Sequence, residues 1–216
     1  MAVTKTAGTQ FAIGSTYGTG FTVTAITNAN PAVATLSASH GVIVNDFIEL
    51  TSGWDLANGR VFRVSAVATN DVTLEGFNTS DTTKFPAGTG TGTGREVTAW
   101  TTLSQISPDF TVQGGDQNFA DTTFVSNLIR TQIPTDRNSI TCTLPVFYDP
   151  TLAWFSTVRT AAEASTPYVF RMIFPNNSRL VVGAYWSLRG VPTNQDGTLR
   201  DAIDLSFIGQ PTVYST

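Results

Sequence analysis

Very few of the residues that carry reaction chemistry are present: one histidine, one cysteine and two lysines in 216 residues. With His40 as the one imidazole, a catalytic triad or a multi-histidine metal site is excluded by count, and its place beside Gly41 marks a turn. Cys142 cannot form an internal disulfide or a thiolate cluster. Within the strand-like Ser139 to Val146 it reads as a small buried hydrophobe. Charged residues make up only 13% of the chain, the net charge is -4 and lysine is confined to Lys5 and Lys84. A nucleic-acid binder needs a basic face, and the sequence supplies none. There is no run of 18 apolar residues, and Met1 to Phe11 holds no basic segment followed by an apolar one. The expectation is a soluble protein made in the cytosol of its producer, with no membrane partner. Plentiful Thr, Gly and Phe with little charge suit a β-rich protein that makes extensive contacts with its own kind.

What is present centres on Pro145 to Arg189. Asp149-Pro150 reads as an N-cap followed by proline at the first helical position. Leu152, Phe155, Val158 and Ala162 then recur at helical spacing, and Pro167 ends the helix. From Tyr168 the period becomes two, with Tyr168, Phe170, Met172 and Phe174 on one face and Val169, Arg171 and Ile173 on the other. Pro175 to Ser178 is a turn, and Arg179 to Trp186 returns as the partner strand.

Upstream, Thr9 to Ile13 reads as a strand closed by the Gly-rich stretch Gly14 to Gly20. Thr22 to Ile26, Ala32 to Leu36, Asp46 to Leu50, Val61 to Val67 and Val72 to Leu74 are five short strands between turn signals such as Asn58-Gly59 and Asn70-Asp71, enough for a small barrel. The alternating Gly88 to Gly94 run lacks the following helix that a phosphate cradle needs, because Arg95 to Trp100 continues as a strand; it reads as a linker. Downstream, Asp116 to Asn138 is a long polar segment with scattered apolar residues. Thr198 to Ile208 is the last strand, with Ile203, Leu205 and Phe207 on one face and Asp204 and Ser206 on the other.

Two resemblances follow. Ile26 to Val33, Ser39-His40-Gly41, Asn45-Asp46, Asn58 to Val64 and Val72-Thr73-Leu74 resemble a small β-barrel module that recurs in bacteriophage virion proteins. Gly8 to Phe11, Leu103 to Pro108, Leu152 to Phe155, Tyr168 to Asn176 and Leu205 to Pro211, in that order, resemble the tail tube (major tail) protein of long, flexible-tailed, lambda-like phages. That resemblance implies a mainly β fold: a β-sandwich with one flanking helix, assembled into hexameric rings that stack into a hollow tube for DNA. It also implies the tape measure protein and the tail terminator and tip proteins as partners, a place in the virion tail after assembly in the host cytoplasm, and no cofactor. The domain division it suggests is 1–21 with 98–216 for the tail-tube sandwich and 22–97 for an inserted barrel, a separable ornament on the outer wall between flexible glycine joints. The 22–97 region lies where the family usually has a short loop, and the chain ends without the immunoglobulin-like decoration of some members.

Three further expectations concern sites. Segment 114–138 is expected to be mobile in the free subunit and to order in the tube, with Phe119, Phe124, Val125, Leu128, Ile129 and Ile133 at an inter-subunit contact and Thr122 to Val125 and Asn127 to Thr131 pairing across a ring boundary. The lumen is expected to be neutral or acidic, with Asp204 facing it. The carboxylate pairs Asp201 and Asp204, and Asp46 and Glu49, are offset by three residues, so neither shares a strand face, and both read as solvated surface. The alternative function is a non-catalytic host-receptor or glycan-binding module of a tail tip or fibre, with Trp154, Tyr185 and Trp186 as an aromatic platform.

Overall fold

The structure is a computed structural model and describes residues 7–126 and 128–215. The first strand, β1 (Gln10–Tyr17), is followed by β2 (Phe21–Ile26), β3 (Val33–Leu36), β4 (Phe47–Ser52), β5 (Arg60–Ala68), β6 (Asp71–Leu74) and the long β7 (Gly92–Leu103). Strands β2, β3, β6, β5, β4 and the first half of β7 pair in that order, and β7 pairs back onto β2. The result is a closed six-stranded barrel. Its five expected strands all form, and the sixth comes from the glycine run. Alternation explains the filling: Phe21, Val23, Ile48, Leu50, Phe62, Val64, Val72 and Leu74 point inward and are buried. Trp54 plugs one end, its Nε1 donating to the Pro86 carbonyl at 2.8 Å.

The glycine run is therefore not a linker. Gly90 lies on the Trp54 ring, a side chain at Gly92 would collide with the Thr51 carbonyl, and one at Gly94 would meet Phe21. Alternate glycines are needed here because neighbouring backbone and aromatic rings occupy the side-chain space. The other expected joint also differs, since β1 continues through Gly14 to Tyr17 and Gly18 N–H bonds the Glu96 carbonyl.

The second half of β7 belongs to a different set. Next come β8 (Thr111–Gln113), β9 (Gln117–Asp121), β10 (Gln132–Arg137), β11 (Thr141–Phe147), the helix α1 (Ala153–Ala164), β12 (Tyr168–Ile173), β13 (Arg179–Leu188), β14 (Thr193–Gln195), β15 (Thr198–Phe207) and β16 (Thr212–Tyr214). The order is β7-β1-β12-β13-β15-β11-β8, all antiparallel. Ile106, just after β7, bridges Val146 of β11, so this sheet curls back on itself. Inside it lie Phe11, Ile13, Leu144, Phe170, Val182, Trp186, Ile203 and Leu205. The fold is mainly β: a sandwich with one flanking helix, carrying the small barrel.

The helix starts later than the sequence indicates. Leu152 is the N-cap, and Asp149 instead accepts from Thr151 N–H and Oγ1 in a turn ahead of the helix. That shift rotates the buried stripe to Trp154, Phe155, Val158 and Ala161, so Ala161 is buried rather than Ala162. The hairpin β12–β13 matches its expected faces, with Phe170 and Met172 toward the sandwich core and Val169 on the opposite side. The last strand is not terminal, because after the break at 208–211 the chain resumes as β16 beside β13.

The small barrel and the sandwich meet on that opposite side. Val169, Val181 and Tyr214 of the sandwich pack against Phe47, Val61 and Val97, with Trp100 and Tyr17 alongside. The Asn58-Gly59 turn enters the break between β15 and β16. A Cβ on Gly183 would stand 3.0 Å from the Gly59 carbonyl oxygen, and one on Gly209 would stand 3.2 Å from it. Arg63 N–H donates to the Tyr214 hydroxyl at 2.9 Å, and Arg60 reaches Thr212 Oγ1 at 3.2 Å. Arg95 bonds Glu49 at 2.7 Å and the Pro167 carbonyl at 2.7 Å.

Candidate assembly interface

Segment 114–138 forms its own two-stranded hairpin. β9 and β10 pair in register Gln132 with Asp121 and Ile133 with Ala120, and Thr122 N–H closes onto the Thr131 carbonyl. The two strands pair with each other and with no other described strand, which leaves an open edge on each side. The strands lie outside the Thr122 to Thr131 stretch expected to pair between subunits, and Asn127 falls outside the described residues. The side chains behave differently. Phe124 is 72% exposed, Val125 107% and Leu128 103%, and Phe119, Ile129 and Ile133 are exposed as well. Six large apolar residues on one hairpin have no core to enter, and such a patch is the mark of a surface that meets another protein. Around them, the Thr123 hydroxyl and N–H hold the Asp121 carboxyl below its ordinary range, so the hairpin keeps its charge at neutral pH.

A second surface lies on the outward face of β13, β15, β11 and β8. Cross-strand registers align Ser187, Asp204, Thr143 and Thr111 in one row and Tyr185, Ser206, Thr141 and Gln113 in the next. Thr143 Oγ1 donates to Asp204 Oδ1 at 2.6 Å. The rows are hydroxyls and amides with a single carboxylate. The nearest cation along β15 is Arg200, stacked 4.8 Å over Phe147. Asp204 is therefore on the polar face that alternation assigns to it.

The remaining candidates take structural positions. His40 Nδ1 accepts from Val42 N–H at 3.1 Å and Nε2 lies 3.0 Å from the Thr69 carbonyl, so both ring nitrogens tie down a turn. Cys142 is buried in the core, and burial pushes its thiol up to about 11. Two carboxylates expected at the surface are in fact buried. Asp201 shares the core face of β15 with Ile203 and accepts from Gly190 N–H, and Glu49 pairs with Arg95, its own burial raising its pKa. Alternation along β15 puts Asp201 on the Ile203 face, which the solvated-surface reading overlooked. No aromatic platform forms: Trp154 and Trp186 are core residues bonded to Ser104 Oγ and the Tyr168 carbonyl, while Tyr185 points out of the opposite face. The sequence reading missed the roles of Arg60, Arg63, Arg95 and Arg171 at the seam, although alternation had placed Arg171 on the Val169 face.

Comparison with known proteins gives three findings. A family profile described as phage tail tube protein matches residues 52–216, beginning inside the small barrel. Two solved structures are similar in part: a chain of the anti-feeding prophage baseplate, 6-fold symmetrised (9% identity, 54% of this chain and 85% of that chain, TM-score 0.37), and one of the anti-feeding prophage tube terminating cap (13% identity, 49% and 79%, TM-score 0.35). No curated protein sequence matches. Because the family profile spans well over half of the chain, this protein belongs to the phage tail tube protein family and is a structural component of the phage tail.

Proposed function

We propose that the chain is the repeating subunit of a tail tube, closing into hexameric rings that stack around a channel for DNA. The observation that carries this reading is the hairpin with Phe124, Val125 and Leu128 in solvent. Burying a large apolar side chain is worth about 1.5 to 3 kcal/mol, so several at one tip supply a contact between copies of the chain. In this reading the hairpin joins successive rings, with Phe119, Phe124, Val125, Leu128, Ile129 and Ile133 at the contact. The hydroxyl-rich face carrying Asp204 lines the lumen, where DNA phosphates find no cationic surface to hold them. The small barrel covers the opposite face of β12 and β13 and stands on the outer wall. The tape measure protein fills the channel before DNA, and terminator and tip proteins close the ends. The chemistry is assembly rather than catalysis. Electron microscopy of the overexpressed chain tests this: rings or tubes are expected, and a discrete monomer at high concentration overturns it.

A further inference from the structure

We infer that Arg171 and Arg179 form a socket for a carboxylate of a second copy of the chain, an inference that rests on the self-assembly reading above. The two residues share the seam face of the β12–β13 hairpin, the face that carries Val169 and Val181, where both remain half-buried. Arg171 is paired with Val181 and Arg179 with Ile173, which makes the two arginines diagonal neighbours across the ladder. The Arg171 guanidinium carbon lies over Trp100, 4.0 Å from the ring centre, and its Nε is buried with no hydrogen-bond partner. Among the described residues neither arginine takes part in an ion pair. Of the other arginines of this seam, Arg63 has Glu75 and Arg95 has Glu49 and the Pro167 carbonyl. Arg60 shares a buried, unpartnered Nε with Arg171, but its terminal nitrogens reach Thr212 and the Leu56 carbonyl, whereas Arg171 has a second arginine as its neighbour.

An unpaired guanidinium withdrawn from water is costly, and two like charges side by side raise that cost. Both effects are felt at Arg171, which burial and the neighbouring Arg179 together bring down to about 10. The contact with Trp100 holds the guanidinium in place and leaves its buried Nε donor unused. A single carboxylate laid across the two forks would satisfy the donors and cancel the repulsion, the geometry at which arginine excels. The chain carries 16 acidic against 12 basic residues. Fully exposed carboxylates are available on the hairpin, at Asp121 and Asp136. A second copy of the chain therefore brings the complementary charge on an element that already offers apolar contacts.

Zero-length coupling tests the socket. Arg179→Lys keeps the positive charge and supplies an amine that a carbodiimide joins only to a carboxylate in direct contact. Tubes are assembled from a mixture of ordinary and nitrogen-15-labelled Arg179→Lys chains, coupled and digested. Mass spectrometry is expected to find the introduced amine joined to an Asp or Glu peptide of a differently labelled copy. A link confined to its own copy, its own C-terminal carboxyl included, or no link at all, overturns the socket. The double variant Arg171→Gln, Arg179→Gln is expected to raise the protein concentration needed for assembly at least tenfold while the monomer melts at the wild-type temperature. An unchanged assembly concentration is contrary to the inference. A duplex DNA oligonucleotide that binds the Arg179→Lys monomer and shields the introduced amine from coupling would assign the pair to phosphate instead. Failure of the wild-type chain to assemble overturns the self-assembly reading and the socket with it, whereas a wild-type tube without the coupled link in the Arg179→Lys variant overturns the socket alone.

Discussion

The seam between the small barrel and the sandwich and the β9–β10 hairpin treat apolar residues in opposite ways. At the seam, Val169, Val181 and Tyr214 are buried against Phe47, Val61 and Val97, and glycines let backbone approach backbone around Gly59, Gly183 and Gly209. On the hairpin, β9 and β10 pair with each other but Phe124, Val125 and Leu128 remain in water. One region has its complement within the chain and the other does not. Tight packing of the first kind stabilises the subunit. Exposed surface of the second kind adds nothing to the subunit alone and becomes favourable only on association.

The largest expected effect comes from removing the complement at the seam. Replacing residues 22–97 with a short Gly/Ser linker would uncover Val169, Val181 and Tyr214 and delete the barrel half of β7, leaving only the half that pairs with β1. Three such side chains at about 1.5 to 3 kcal/mol each approach the entire stability of a typical domain. The shortened chain is expected to lose cooperative unfolding, as read by calorimetry. A sharp transition at the wild-type temperature would show the barrel to be a separable ornament after all. A smaller effect is expected from Gly183→Val, whose new Cβ stands 3.0 Å from a backbone oxygen that cannot rotate away. Overpacking of this kind costs about 1 to 3 kcal/mol in urea unfolding. Gly18→Ala, meeting nothing closer than 3.5 Å, serves as the control and is expected within about 0.5 kcal/mol of wild type.

Alkaline pH sharpens the comparison further. Burial raises the Tyr214 hydroxyl from its ordinary value near 10 to about 12, and burial raises Tyr17 too. The folded state therefore holds these protons where the unfolded chain releases them. The associated stability is complete below about pH 10 and is lost as the pH rises toward 12, roughly 2 to 3 kcal/mol for Tyr214. Tyr214→Phe leaves the Arg63 N–H without its partner, costing about 1 to 2 kcal/mol at neutral pH, and flattens the alkaline loss. Stability that falls equally steeply between pH 10 and 12 in both proteins would assign the alkaline loss elsewhere.

How far the sequence could be read follows the same division. Alternation and turn residues identified the five short strands, the β12–β13 hairpin and the outward place of Asp204, because those signals are local. The seam was not legible, since it depends on side chains far apart in sequence, such as Arg63 meeting Tyr214. The Gly88 to Gly94 run was misread for the same reason. Its glycines suggest flexibility until Trp54, Thr51 and Phe21 are seen to fill the space beside them. The helix start shifted because Asp149 satisfied a turn instead of capping. For the hairpin, the apolar residues were visible in the sequence, but the strands Gln117–Asp121 and Gln132–Arg137 that flank them were not, because their mixed polar pattern carries no clear alternation.

The smallest expected change in stability carries the clearest test of assembly. Phe124 and Ile129 are 72% and 79% exposed, so replacing both with aspartate removes almost no burial from the subunit. Surface substitutions of this kind usually stay within about 0.5 kcal/mol, and the monomer is expected to melt as wild type. In a tube the same positions would place two carboxylates in a contact that excludes water, where unpaired charge is strongly disfavoured. The Phe124→Asp, Ile129→Asp variant is therefore expected to remain folded and monomeric at concentrations where wild type forms tubes, as seen by analytical ultracentrifugation and negative-stain microscopy. Tubes of normal length from the variant would remove the hairpin from the interface. A variant that fails to fold would show instead that the hairpin tip packs against the subunit's own body, and the contrast between seam and hairpin would fall with it.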